Sequence, residues 1–403
     1  MPAAANPLLA HWTLDPGIRF LNHGSFGASP REVLAVQAEL RARMEREPVE
    51  FLGRRIWGAL AEVKEALGAF VGASPRDLAL VPNATTGVNA VLGSLALEPG
   101  DEIVITSHGY NACNNAARAV AARAGARVAV AAVPFPLSAP DEVVAAVLAA
   151  VGPRTRLVLV DHVTSPTGLV LPIERLVGEL RERGVEVLVD GAHAPGMVEL
   201  DLDALGADYY TGNCHKWLCA PKGAGFLHVR RERQARIRPP VISHGANALD
   251  GTRSRFELEF AWMGTVDPSP YLAVPAALEF LGGLLPGGWA ELRRRGRTLA
   301  LRGRDLLCAA LAVPAPAPAE MIGFLAAVPL PEAADATPRD AFWVHPLQQA
   351  IRARLAIEVP VFPWPAPPRQ MLRISAAVYN SEADYAALAA GLPALLSGAE
   401  GRP

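Results

Sequence analysis

The sequence predicts an α/β protein: a mostly parallel central sheet with helices on both faces, plus a smaller α+β domain toward the C-terminus. Three observations carry this. From about residue 77 to 230, short apolar runs alternate with helical stretches, the rhythm of strands joined by crossover helices. The runs are continuous rather than alternating, as strands covered on both faces read. Finally, 51% hydrophobic residues against 19% charged supply a large core and exclude disorder by composition.

The elements follow in order. Residues 31–72 read as helices ("REVLAVQAELRARMERE", then "GALAEVKEALGAFVG"). "LALV" (78–81) is a strand leading into the helix-like "TTGVNAVLGSLAL", and "EIVIT" (102–106) leads into "NAARAVAARAG". "RLVLVDHV" (156–163) precedes "PIERLVGELRERG". "VEVLVD" (185–190), "ADYYTG" (207–212) and "GAGFLHV" (223–229) complete the strands. Gly184 and Gly206 stand where helix C-caps are expected. Residues 271–311 are helical again, and the proline- and alanine-rich "AVPAPAPAEMIG" and "PLPEAADATPRDAF" are loops of a second domain that 342–390 completes. The expected boundaries are a large domain over 20–270 and a small one over 271–403, joined by the N-terminal segment 1–19. There is no internal repeat.

Bulk properties narrow the function. A formal charge of −2 gives no electrostatic case for nucleic acid or an anionic membrane. No apolar run reaches the roughly 18 residues that span a bilayer, and the start lacks the pattern of a signal peptide. Four cysteines, Cys113, Cys214, Cys219 and Cys308, are too few for a disulfide scaffold at this length, so a reducing cytoplasm is expected. Cys214 and Cys219 have no second metal-type pair, so no metal is expected.

Lysine is rare. Only Lys64, Lys216 and Lys222 occur among 38 Lys+Arg residues. Arginine stays protonated, whereas a desolvated lysine can lose its proton and form an imine. Lys64 lies in the helical "LAEVKEALGAF" between Glu62 and Glu65 and reads as a solvated-face residue. Lys222 sits in the glycine-rich "APKGAG" without an acid–base partner. Lys216, in "GNCHKWL", has histidine and tryptophan on either side.

In an open parallel sheet the ligand site lies beyond the carboxyl ends of the strands. After the successive apolar runs come Asn83, Thr85 and Thr86; His108 and Tyr110; Ser165 and Thr167; Asp190 and His193; and Asn213, His215 and Lys216. Each alone reads as a loop residue or cap, and Thr85 or Thr86 as an N-cap. Together, in one crevice, they read as a site. The helix start at Thr85–Thr86 suits a phosphate. A buried carboxylate at Asp190 needs a cation, and a protonated pyridine nitrogen serves; that charge makes the ring an electron sink. Lys216 then forms the Schiff base with pyridoxal 5′-phosphate. Asn213 and His215 can reach the phosphate, His108 or Tyr110 can stack on the ring, and His193 can bond its hydroxyl.

"LNHGSFG", "HVTSPTGLVLP", "VDGAHAPG" and "GNCHKWL" together resemble the class V aminotransferase-like superfamily of pyridoxal phosphate enzymes, fold type I, and within it the isopenicillin N epimerase-like proteins. The similarity runs from about Leu21 to Tyr385. It implies Lys216 as the covalent cofactor link, Asp190 at the pyridine nitrogen, His193 near the ring hydroxyl, and Thr85, Thr86, Asn213 and His215 around the phosphate. It further implies that Thr265, in "WMGTVD", reaches the phosphate of a neighbouring subunit in a homodimer. Arg373, in "LRISAAVYN", would hold the substrate carboxylate. The implied activity is an epimerase acting on an amino acid or small peptide, with a place in antibiotic biosynthesis. A proton donor on the face away from Lys216 would then be needed, with His23 or Tyr110 as candidates. A smaller residue is expected in these epimerases where His23 stands. A carbon–sulfur lyase is the alternative, followed by an aminotransferase or a catalytically silent binding relative. Desulfuration with an enzyme thiol is disfavoured, because no cysteine follows Cys308.

Overall fold

The computed structural model describes residues 6–248, 250–340 and 342–397. Residues 1–5 and 398–403 of the expected small domain lie outside the described residues.

Among the described residues twelve strands occur in chain order: β1 (Arg19–Phe20), β2 (Leu78–Val81), β3 (Glu102–Thr106), β4 (Arg127–Ala131), β5 (Thr155–Asp161), β6 (Glu186–Gly191), β7 (Tyr209–Asn213), β8 (Gly225–Val229), β9 (Leu325–Leu330), β10 (Ile357–Glu358), β11 (Val361–Pro363) and β12 (Gln370–Ser375). Seven of them form the central sheet in the order β2-β8-β7-β6-β5-β3-β4. Six run parallel. Only β8 is reversed, antiparallel to both β7 and β2. The reason is visible in the chain. Residues 214–224 between β7 and β8 contain no helix to carry the chain over the sheet, so the strand must return beside its predecessor. Lys216 lies on that return.

Strand β4, "RVAVA", was not among the expected strands. It forms the edge of the sheet, pairing only with β3, and its partly exposed residues lack the continuous apolar run that marked the others.

Helices cover both faces. Ala84–Gly93 and Asn111–Ala124 pack on one, burying Val88, Val91, Cys113 and Ala117 against Ile103, Ile105, Leu157, Leu159 and Leu188. The other face meets Ile173–Glu182, whose Ile173, Leu176, Val177 and Leu180 recur at helical spacing and are all buried. This two-sided burial is why the strands read as unbroken apolar runs. The predicted C-cap residues Gly184 and Gly206 both take left-handed backbone, φ 69° and 63°.

The second sheet is antiparallel, in the order β11-β12-β9, and the long helix Gly288–Leu311 packs on it. The N-terminal segment joins this part: β1 pairs with β10, and Asn6 Nδ2 donates to the carbonyls of Val378 and Asn380. The two parts share one apolar cluster, in which Trp217 meets Phe324 edge-on at 5.3 Å. Among the described residues no single helix is long and apolar enough to cross a membrane.

Candidate active site

The carboxyl ends of the six parallel strands face one edge of the sheet, and the predicted residues gather there. Lys216 follows β7, and its Nζ lies 3.0 Å from His193 Nε2. Burial first, then the nearby Arg373 charge, brings the Lys216 amine down from 10.5 to about 8. His193 is 2% exposed, and burial followed by the Lys216 charge holds it well below the ordinary histidine range. Its Nδ1 is buried without a partner. An orphaned polar atom of this kind is costly unless something supplies its bond.

Asp190 closes β6. It is 2% exposed. Its Oδ1 accepts the Ala192 N–H at 3.0 Å and its Oδ2 accepts the Cys113 thiol at 3.1 Å. No lysine, arginine or histidine pairs with it among the described residues. Burial raises its pKa. A positive heterocycle nitrogen is the partner this carboxylate lacks.

At the end of β2, Asn83 caps the helix Ala84–Gly93 by accepting the Thr86 N–H at 2.9 Å, and the Thr86 hydroxyl also donates to it. Asn213 Oδ1 accepts the Ala84 N–H at 2.8 Å. The Thr85 N–H has no acceptor among the described residues, so it and the Thr85 hydroxyl remain for a phosphate at the positive helix end. Asn213 thus ties the helix start to β7, and only its amide NH2 is left over. His215 Nδ1 donates to the Ala224 carbonyl at 2.9 Å, which fixes the tautomer and leaves Nε2 as a free acceptor. Burial, its largest influence, brings His215 down to about 4, and a bound phosphate would oppose that.

The second sheet contributes Arg373 from the middle of β12. It is 4% exposed. One of its terminal nitrogens donates to the Ser165 carbonyl and hydroxyl, and the other to the Ser25 hydroxyl at 3.2 Å. Its Nε has no partner, and no carboxylate pairs with it among the described residues. Burial lowers it to about 10. A buried guanidinium held by neutral oxygens alone can still receive a carboxylate. Burial raises the Tyr110 phenol, with Cys113 and Asp190 adding to the rise and Arg373 opposing it, and the residue is 43% exposed.

Several expectations change. His23 does not face the site as a free acid. It is 1% exposed, with Nε2 2.9 Å from the Lys216 carbonyl and Nδ1 2.8 Å from the Tyr379 hydroxyl. A carbonyl can only accept, so Nε2 carries the proton and Tyr379 donates to Nδ1. Burial brings His23 to about 4, and it braces the lysine loop. Gly27 shows why that loop needs "NHGSFG": at φ 71° it lies so close that a Cβ would stand 1.9 Å from the His215 carbonyl oxygen. His108 is fully buried, with Nδ1 2.8 Å from Thr167 Oγ1 and Nε2 3.2 Å from the Val133 carbonyl. Its ring meets Trp364 and Phe135 edge-on. Ser165 holds Arg373. Thr265 is exposed on this chain, between Gly264 and Val266, which with Thr86 help to line an apolar groove of about 400 Å3. Lys64 is not on a solvated face; its side chain is 18% exposed in the same groove, 3.8 Å from Glu257.

Three residues of the site were not foreseen. Ser25 is inside "NHGSFG". Asp161 ends β5, one residue before the histidine of "DHVTSPTG", and was read as the tail of an apolar run. Cys113 was weighed only as a disulfide or metal residue. All four cysteines are free and buried. The possible metal ligands that converge among the described residues are Asp77, Asp203 and His228, without Cys214 or Cys219, and Asp77 already pairs with Arg231 at 2.8 Å.

Comparisons with known proteins give the family. The Aminotransferase class-V family matches residues 28–282. The chain is 40% identical over 400 residues to isopenicillin N epimerase of Amycolatopsis lactamdurans, covering 95% of this chain and 96% of that protein. It is 32% identical over 410 residues to a putative L-cysteine desulfhydrase of Oryza sativa subsp. japonica, covering 93% and 84%. A solved structure of C-DES, in a lysine-to-alanine variant with glycine covalently linked to the PLP cofactor, superposes with a TM-score of 0.74 at 24% identity over 96% of this chain and 98% of that one. A shared fold, the family match over most of the sheet and the end-to-end relatives lead to one conclusion: this chain belongs to the class-V aminotransferase family, enzymes with fold type I whose cofactor is pyridoxal 5′-phosphate.

Proposed function

We propose that this enzyme inverts the α-carbon of an amino acid or small peptide. The observation that carries the reading is the 40% identity to isopenicillin N epimerase along nearly the whole of both chains. When bound, the cofactor supplies an electron sink for charge at the α-carbon. The protein's own groups do the rest. Asp190 would hold the positive nitrogen. The Nδ1–H of His193 would meet the ring hydroxyl, and Thr85, His215 and the Asn213 amide would surround the phosphate, with Thr86 fixing the helix start through Asn83. Arg373 takes the substrate carboxylate in a two-pronged grip that fixes the α-carbon. The Lys216 amine, titrating at about 8, is poised to hold or release a proton near neutral pH on one face.

The opposite face needs a second proton carrier. With His23 braced against the Lys216 carbonyl, Tyr110 is the remaining candidate. Its half-exposed phenol, within the electrostatic reach of Arg373 and Asp190, supports the assignment. Tyr110→Phe should keep exchange of the α-proton and lose inversion.

A homodimer belongs to the same reading. Val49, Val241, Ile242 and Val266 are exposed apolar side chains that a second copy would cover, and exposed Thr265, next to Val266 in the chain, would then serve that copy's phosphate. The four free cysteines suit a reducing, cytoplasmic setting.

The second reading is a carbon–sulfur lyase, favoured by the 32% identity to the desulfhydrase. Incubation with candidate amino acids in deuterated water separates the two. α-Deuterium with inverted configuration supports the epimerase. Release of pyruvate, ammonia or a thiol would make the enzyme a lyase instead.

A further inference from the structure

Two buried groups beside Asp190 have no part in the reaction as described. Cys113 lies in the first turn of the helix Asn111–Ala124 and is 2% exposed. Its thiol is the side-chain donor to Asp190 Oδ2, at 3.1 Å. Asp161 ends β5 in direct register with Asp190 on β6. Aligned residues of neighbouring strands point to the same face, so the two carboxyl groups share one dry pocket. Asp161 is 4% exposed and has no cationic partner among the described residues.

The donor's chemistry matters. A lysine or arginine at position 113 would neutralise Asp190 and leave nothing for a positive ring nitrogen. An apolar residue would leave one carboxylate oxygen dry and unbonded. A thiol avoids both: it donates one hydrogen bond and adds no charge. Burial, then the Asp190 charge, keeps Cys113 protonated, so it remains a donor and is no nucleophile.

We propose that Cys113 is the positioning residue for Asp190, its S–H fixing the carboxylate that faces the cofactor nitrogen while leaving the negative charge available. Asp161 completes the device. Two carboxylates this close and this dry cannot both ionise. Asp190 receives the thiol and the Ala192 N–H, so it keeps the charge; Asp161, raised well above the ordinary range by burial and by Asp190, carries the proton. The inference rests on the reading of Asp190 as the ring-nitrogen partner.

The test uses the cofactor-loaded enzyme and three variants: Cys113→Ala, Cys113→Ser and Asp190→Asn. Cofactor dissociation constants and the pH midpoint of cofactor absorbance are measured for each, with thermal melting to confirm the fold. Losing one hydrogen bond to a charged group corresponds to about tenfold weaker cofactor binding, with a displaced midpoint, in Cys113→Ala. Cys113→Ser keeps a donor and should return near the parent. The infrared S–H stretch of Cys113 gives a direct reading even if the alanine variant fails to fold: it should be displaced in the parent and move in Asp190→Asn. A parent-like Cys113→Ala, equal defects in Ala and Ser, or an S–H band indifferent to Asp190→Asn would each overturn the inference. Should Asp190→Asn itself leave affinity and spectrum unchanged, the reading of Asp190 fails first; if it alters both and Cys113→Ala does not, only the role of Cys113 is lost.

Discussion

The two sheets give the site opposite kinds of charge. The ends of the central sheet hold Lys216, His193, Asp190 and Asp161, groups whose proton affinities burial has moved toward the neutral form. The second sheet gives Arg373, equally buried but wrapped by Ser165 and Ser25, and at about 10 still charged at neutral pH. Desolvation acts on all of them. It makes a lysine or a carboxyl group switchable, because their ordinary values lie within reach of working pH, and it leaves a guanidinium fixed. On the proposed reading, groups that exchange protons or share charge with the cofactor come from one part, and the group that only recognises an anion comes from the other.

Four experiments would break or sharpen that contrast. The largest effect is expected for Lys216→Ala, which removes the switchable amine. Turnover should fall by about 10²- to 10⁴-fold or more, with the fold intact by circular dichroism and the cofactor removable by gel filtration. Normal turnover in that variant would end the assignment. Next comes Asp190→Asn, a loss of ~3 kcal/mol of transition-state stabilisation, read as kcat/KM at constant pH. Arg373→Lys follows. Charge is kept but the planar fork is lost, so ~1.5–3 kcal/mol should disappear, mostly as a higher KM; an unchanged KM would mean that Arg373 only ties the sheets together.

The smallest effect concerns stability. In the cofactor-free protein Lys216 titrates at about 8 folded, against 10.5 ordinarily. Between those values the unfolded chain binds more protons, so folding stability rises with pH across that window. Asp161 and Asp190, raised by burial, act oppositely: above the ordinary carboxylate range and below their raised values the folded chain holds more protons, and stability falls as pH rises. Lys216→Met should therefore flatten the rise above pH 8 in chemical denaturation. An identical slope would show that the amine is not desolvated in the fold.

Much of this was legible beforehand. The strands and helices from Leu78 to Val229 were readable because two-sided burial selects unbroken apolar runs. Lys216, Asp190 and His193 were readable because buried polar groups at strand ends stand out against such runs. Orientation was not. His23 and His108 lie in promising strings, yet their ring nitrogens are taken by Lys216, Tyr379, Thr167 and Val133, and only the packed chain shows that. Cys113 and Asp161 were missed for a related reason. Their importance lies in facing Asp190 from another helix and another strand, 77 and 29 positions away in the chain.

By itself the sequence determined the alternation of buried strands and helices, the rarity of lysine, and which side chains could carry amine, acid and phosphate-binding chemistry, because hydrophobic pattern and functional groups are properties of the chain alone. The tertiary structure decided which of those groups share a pocket, which nitrogen of each histidine is free, and which acids lie dry beside one another. Desolvation and hydrogen-bond geometry depend on neighbours brought together from distant parts of the chain, and local sequence does not encode those neighbours.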